Sequence, residues 1–197
     1  QGGGIFNGDL NITGSTLTLS GGSFSFSNGS SISGGILTLG GGDMVLAGTT
    51  TLNSSIDWSS FASSISGAGD LSIVSSGLLN ISGNDAADNP RVLDGATINN
   101  AGLVTLTTEL SDGFALENGA VFNNNVGGVF DIQTDADIES LTTGTFNNAG
   151  GTLQKTTATG LSQFSGVVFN STGAIFNIQT GTVRLDSGGT FAGTQAV

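Results

Sequence analysis

Apolar and polar residues alternate along this chain in short runs, and each run stops at glycine or asparagine. Leu17-Thr18-Leu19 is followed by Ser20-Gly21-Gly22, then Phe24-Ser25-Phe26; Leu37-Thr38-Leu39 is followed by Gly40-Gly41-Gly42, then Met44-Val45-Leu46. Strict alternation over such short stretches is the signature of a strand with one buried face. No 3.6-residue apolar period and no block rich in Ala, Leu, Glu and Lys predicts a helix. The chain reads as all-β.

The runs themselves repeat. Gly95-Ala96-Thr97-Ile98-Asn99-Asn100 returns as Gly119-Ala120-Val121-Phe122-Asn123-Asn124, as Gly144-Thr145-Phe146-Asn147-Asn148 and as Gly166-Val167-Val168-Phe169-Asn170, and Gly189-Thr190-Phe191 opens a fifth copy. Asn99, Asn123, Asn147 and Asn170 thus recur at a nearly constant step. A second mark agrees, since Phe130-Asp131-Ile132-Gln133-Thr134 recurs two periods on as Phe176-Asn177-Ile178-Gln179-Thr180. In the first part the step is shorter, from Leu17 to Leu37 and from Phe24 to Met44, and Gly8-Asp9-Leu10 has an echo in Gly69-Asp70-Leu71.

A unit of about 20–24 residues cannot bury its own apolar face and must stack on its neighbours. Stacking at the strand spacing of about 4.8 Å predicts a parallel β-solenoid, roughly eight or nine coils and about 40 Å long. The expected organisation is one solenoid over 1–197, with shorter coils over 1–82, an irregular loop over 83–94 and regular coils over 95–197. Phe122, Phe146, Phe169 and Phe191 should form an interior ladder. Asn99, Asn123, Asn147 and Asn170 should stack at a turn with their amides bonded along the axis. Glycines should supply positive φ at the corners. Ile56-Asp57-Trp58 reads as an interruption, with Trp58 capping a coil edge. One period on from Ile132, and one back from Ile178, stands Lys155, a costly residue for the interior. A one-residue slip of that coil, with Leu153 still matching Phe130 and Phe176, is the expected remedy.

Composition narrows the function. Three Lys plus Arg stand against 15 Asp plus Glu, a net charge of −12. Such a chain offers no basic patch for nucleic acid or an anionic membrane surface, and no apolar run is long enough for membrane insertion. Without Cys or His, thiol, zinc, haem and Ser-His-Asp chemistry fall away. Ca²⁺ remains the cation its carboxylates suit, with Asp85, Asp88 and Asp94 (beside Arg91) and Asp135 with Asp137 as candidate ligands; solvation or pairing with Arg91 is the plainer reading of each group. No cofactor is otherwise implied. Carboxylate pairs for glycoside chemistry lack an aromatic platform, and Thr-x-Thr rows do not recur in a way that favours ice binding. We therefore expect no enzyme.

The coils of the type Gly144-Thr145-Phe146-Asn147-Asn148-Ala149-Gly150-Gly151-Thr152-Leu153 resemble the β-helical repeats of large secreted bacterial surface proteins. Filamentous-haemagglutinin-like adhesins and autotransporter passenger domains are the families in question. The likeness is plain over 95–197 and looser over 1–82. It implies an extracellular, elongated, right-handed parallel β-helix that attaches cells or builds a biofilm matrix. The opening Gln1-Gly2-Gly3-Gly4 and the repeat-like Thr190-Phe191-Ala192-Gly193 read as a processed chain or a piece of a longer one. The leading expectation is a structural subunit of a cell-surface fibre, self-associating head to tail through edges that include Ile5, Phe6 and Phe191. An adhesin stalk that binds a surface polysaccharide or another cell-surface protein through loops is the alternative. A polysaccharide lyase or hydrolase ranks below both, and a two-sheet amyloid is the architectural rival.

Overall fold

Leu17 lies beside Leu37, Leu19 beside Leu39, Phe24 beside Met44 and Phe26 beside Leu46, each pair in parallel register. The sequence repeat is thus a physical stacking of one coil on the next. The computed structural model describes residues 2–83, 89–108 and 113–196. Among these residues there are 24 strands and no helix, and every pairing between strands is parallel.

Each coil contributes one strand to each of three faces. Face A begins with Gly3–Phe6, Ser23–Phe26 and Asp43–Leu46; face B with Asp9–Asn11, Ser30–Ser33 and Thr49–Leu52; face C with Thr16–Leu19, Ile36–Leu39 and Ser55–Trp58. Eight coils are complete, and Thr182–Leu185 with Phe191–Ala192 starts a ninth. In coils 7 and 8 the strands Ile138–Ala149 and Leu161–Thr172 run through the corner and serve both A and B. The coil step varies along the rod. It is short where Gly3 pairs with Ser23 and longer where Asn123 pairs with Asn147. The widest step sets Ile65 beside Leu93, and another wide one sets Ile138 beside Phe164. From Phe164 to Leu185 the step is short again. The long steps extend corners and leave the faces in register.

One continuous core fills the centre, made by the inward member of each alternating pair. Its largest side chains are aromatic: Phe122, Phe146 and Phe169 stack with centroids 4.9 and 5.3 Å apart, and Phe130 and Phe164 meet Phe146 edge-on. The corner before face C holds Gly77, Gly102, Gly128 and Gly151, whose carbonyls accept the amides of Leu103, Val129, Thr152 and Ile175. Close approach requires glycine here. A Cβ on Gly102 would lie 2.3 Å from the Val74 carbonyl oxygen and 2.5 Å from that of Gly77. Elsewhere the expected positive φ does operate, as at Gly67 (φ 101°).

Three expectations about this interior need correction. Trp58 is no edge cap: it is fully buried, in register between Leu39 and Ile81, with Nε1 donating to the Ser63 carbonyl at 3.1 Å. Ser55–Trp58 is a regular rung, and the irregular residues fall in the corner after it. Lys155 does not escape by a slip. It stands in register between Ile132 and Ile178 and is wholly buried. The echo of Gly8-Asp9-Leu10 in Gly69-Asp70-Leu71 shares face B but is out of register, since Asp9, Ser31, Thr51 and Ser72 form one column.

Candidate functional site

Two polar ladders run along face B of the longer coils. Asn99, Asn123, Asn147 and Asn170 are in register, half-buried on the outward side of the strands and not at a turn as expected. Each Nδ2 donates to the Oδ1 of the coil before it, at 2.8 Å for Asn123 and Asn147 and 2.9 Å for Asn170. The chain of amides closes on Thr190, whose N and Oγ1 donate to Asn170 Oδ1.

Next along each strand, Asn100, Asn124 and Asn148 form a second, fully buried ladder. Its bonds point the other way: Asn100 Nδ2 donates to Asn124 Oδ1 and Asn124 Nδ2 to Asn148 Oδ1, both at 2.9 Å. Asn100 and Asn124 also donate to the carbonyls of Val129 and Thr152, which ties face B to face C across the corner. The ladder stops at Ser171, and Asn148 Nδ2 is left without a partner. Period-two alternation from an inward Phe122 puts Asn124 inside as well, so the repeated Asn-Asn pairs carried the signal for this second ladder.

Phe122, Phe146 and Phe169 occupy one inward column, but Phe191 departs from it. Phe191 pairs with Ser171, further along the strand than Phe169, and stays 56% exposed while its ring rests 6.1 Å from that of Phe169. The step falls from 23 residues at Lys155–Ile178 to 21 at Phe164–Leu185 and 20 at Ser171–Phe191, which produces the offset. Gly189 adopts φ 149° and packs against the Phe169 carbonyl.

The candidate calcium ligands do not converge. Asp85 and Asp88 lie outside the described residues. Arg91 and Asp94 sit on one strand but on opposite sides: Arg91 is buried, with Nη2 on the Ser59 carbonyl at 3.1 Å, while Asp94 faces out and accepts from Asn118 Nδ2 at 2.7 Å. Asp137 accepts from the Gln163 amide at 2.8 Å. Asp135 takes Lys155 Nζ at 2.9 Å and the Gly160 amide at 2.9 Å. The Lys155 hydrogen bond holds the Asp135 carboxyl below its ordinary range, against the opposing effect of desolvation. Lys155 completes its coordination with the Thr134 carbonyl and Ser162 Oγ. A buried ammonium is tolerable once its donors are matched in this way. Among the described residues no group of three or more acidic side chains gathers as a metal centre would require.

The outer coils expose their edges differently. Ile5 lies on the outward side of face A, 70% exposed, in register with Ser25. Phe6 points inward and stacks on Phe26 at 4.8 Å. At the other end Phe191 and Phe176 stack at 6.3 Å above the core. On face C a cleft of about 400 Å³ opens over Ser55, between Ile36 and Leu78, with Asp57 and Asn80 on its polar side. Against protein families, curated proteins and solved structures, the chain shows no significant match.

Proposed function

We propose that this chain is a structural unit of an extracellular fibre or surface matrix, joining copies by stacking its outer coils head to tail. The carrying observation is a match of perimeter. The coil step is 20 to 22 residues at the first coil, as from Gly3 to Ser23 and from Leu10 to Ile32, and 20 to 21 at the last, as from Phe164 to Leu185 and from Ser171 to Phe191. Between them the step ranges from 19 residues, where Leu39 pairs with Trp58, to 28, where Ile65 pairs with Leu93. A second copy set on the last coil would meet a contour of its own size, so strand edges pair without an overhang. Such a heterologous contact does not close and propagates as a filament.

The adhesin-like character of the repeats supports a place outside the cell, and the neutral Ser, Thr and Asn of the faces suit it. In this reading the protein is not an enzyme; Asp94, Asp135 and Asp137 serve the neighbouring coils. Electron microscopy and sedimentation across a concentration series test the proposal. Filaments with an axial repeat of about 4.8 Å are expected, and Phe191→Asp should shorten them. Short rods that stay monomeric at every concentration would sink it.

A further inference from the structure

The outward side of face C carries a feature that end-on stacking does not use. In coils 3 to 8 its first outward column reads Ser55, Leu78, Leu103, Val129, Thr152 and Ile175, all in register. Leu103 and Ile175 are 37% and 45% exposed, and with Leu78 and Val129 they make an apolar column of four side chains on one face. The two small members, Ser55 and Thr152, lie at nearly mirrored positions. The cleft over Ser55 is the resulting hollow.

We propose that face C pairs with face C of a second copy, antiparallel, about a two-fold axis between the Leu103 and Val129 strands. Under that operation each coil meets its mirror coil in the same column, because the axis lies in the interface and perpendicular to the rod. Ile175 of one copy then enters the hollow at Ser55 of the other, Leu78 meets Thr152, and Leu103 meets Val129. Every small position receives a large side chain. Moving the axis onto the Leu103 strand sets Ser55 against Thr152, two small positions facing each other, and moving it onto the Val129 strand leaves Ser55 without Ile175.

Charge agrees with the same register. The second column on this side holds the two carboxylates of this face, Asp57, which is partly exposed, and Asp131, which is 7% exposed. The operation brings Asp57 opposite Asn177 and Asp131 opposite Thr105, so neither acid faces another. The interface is isologous, as two-fold contacts are.

Its size sets its strength. Six coils spaced by about 4.8 Å, each with a strand of four residues rising about 3.3 Å apiece, give roughly 400 Å² per copy. The total of about 800 Å² falls short of the ~1,200 Å² of a stable complex. A single pair is therefore weak. Two filaments would repeat the contact at each subunit and gain by multivalency.

The sequence has no cysteine, so thiol cross-linking is a clean test. Facing sheets stand about 10 Å apart, beyond a direct disulfide, and a short bis-maleimide spans the gap. Chains carrying Ser55→Cys are mixed with chains carrying Ile175→Cys at high concentration and treated with that reagent. Mixed cross-linked dimers should exceed those of either variant alone by about tenfold, since like residues then lie about five coils, roughly 24 Å, apart. Leu78→Cys mixed with Thr152→Cys, about three coils from the nearest like residue, should behave alike. Equal self-linking of one variant, preferential linking of Ser55→Cys to Thr152→Cys, or no linking at all would each overturn the proposal; the last is what a saccharide occupant of the cleft predicts. The experiment is repeated with Phe191→Asp added. Lateral linking should survive there, so failure of end-on stacking and failure of face pairing are told apart.

Discussion

In coils 2 and 3 the two inward columns of face B read Ser30 and Thr50, then Ile32 and Leu52. In coils 6 to 8 the same columns read Phe122, Phe146 and Phe169, then Asn124, Asn148 and Ser171. One column is apolar and its neighbour polar throughout both regions, but the assignment is exchanged. The changeover passes through Leu71 and Ile73 in coil 4, where both columns are apolar. Face B tolerates one polar inward column, and what differs is how each region satisfies it. Ser30 Oγ reaches the carbonyls of Ser27 and Phe6 at 2.7 and 3.1 Å. Thr50 Oγ1, equally buried, has no partner. The Asn column instead satisfies itself from coil to coil, because an amide carries donor and acceptor at a spacing that matches the strands.

The largest break in that contrast should come from the apolar column. Phe146→Ala removes a ring stacked on both sides and should cost about 3–5 kcal/mol, read as a lower midpoint in urea unfolding. The equivalent position in coil 3 should respond with the opposite sign. Thr50→Val keeps the shape, removes an unpaired buried hydroxyl and should stabilise by about 1 kcal/mol. If the two variants move the midpoint in the same direction, the columns are not exchanged in energetic terms.

Next comes the polar column itself. Asn124→Leu leaves Asn148 Oδ1 and the Thr152 carbonyl without their donor and should cost about 2–4 kcal/mol. Ser171→Asn should act in reverse, extending the ladder by one rung to accept from the orphaned Asn148 Nδ2 and adding about 1 kcal/mol. A lowered midpoint for Ser171→Asn would show that Gln195, which accepts from Ser171 Oγ at 2.6 Å, is the better terminator.

The legible part of the fold is what period and alternation encode. The steps from Leu17 to Leu37 and from Asn123 to Asn147 are both register pairs in the folded chain. Corners were not legible. Trp58 reads as irregular because the residues after it are, and sequence spacing cannot separate a long corner from a broken rung. Lys155 reads as misplaced because its partner Asp135 lies 20 residues earlier on a corner, adjacent only once the coil closes. Phe191 reads as another ladder member because a repeat count does not reveal that the last step is shorter. The face C stripe is hidden for a related reason: its members alternate with the core residues and share no motif.

Lys155 and Asp135 offer the smallest and most specific test, a polar site in coil 7 where the neighbouring coils place Ile132 and Ile178. Asp135 has its carboxyl lowered from 3.8 in the folded chain. The folded state therefore holds its proton more weakly than the unfolded state does. The pairing contributes fully above the ordinary carboxylate range and is lost as pH falls through the lowered folded value. Asp135 is half exposed, so solvent screening keeps the effect modest. Unfolding midpoints followed from about pH 6 down to about pH 2 should decline in the native chain, and Asp135→Asn should start lower and decline less. Lys155→Met combined with Asp135→Asn should recover the native midpoint or exceed it, since an apolar side chain of similar length returns the rung to the character of Ile132 and Ile178. If the double variant is less stable than Asp135→Asn alone, the ammonium with its Thr134 and Ser162 contacts holds the corner in its own right, and the pair is more than a substitute for a hydrophobic rung.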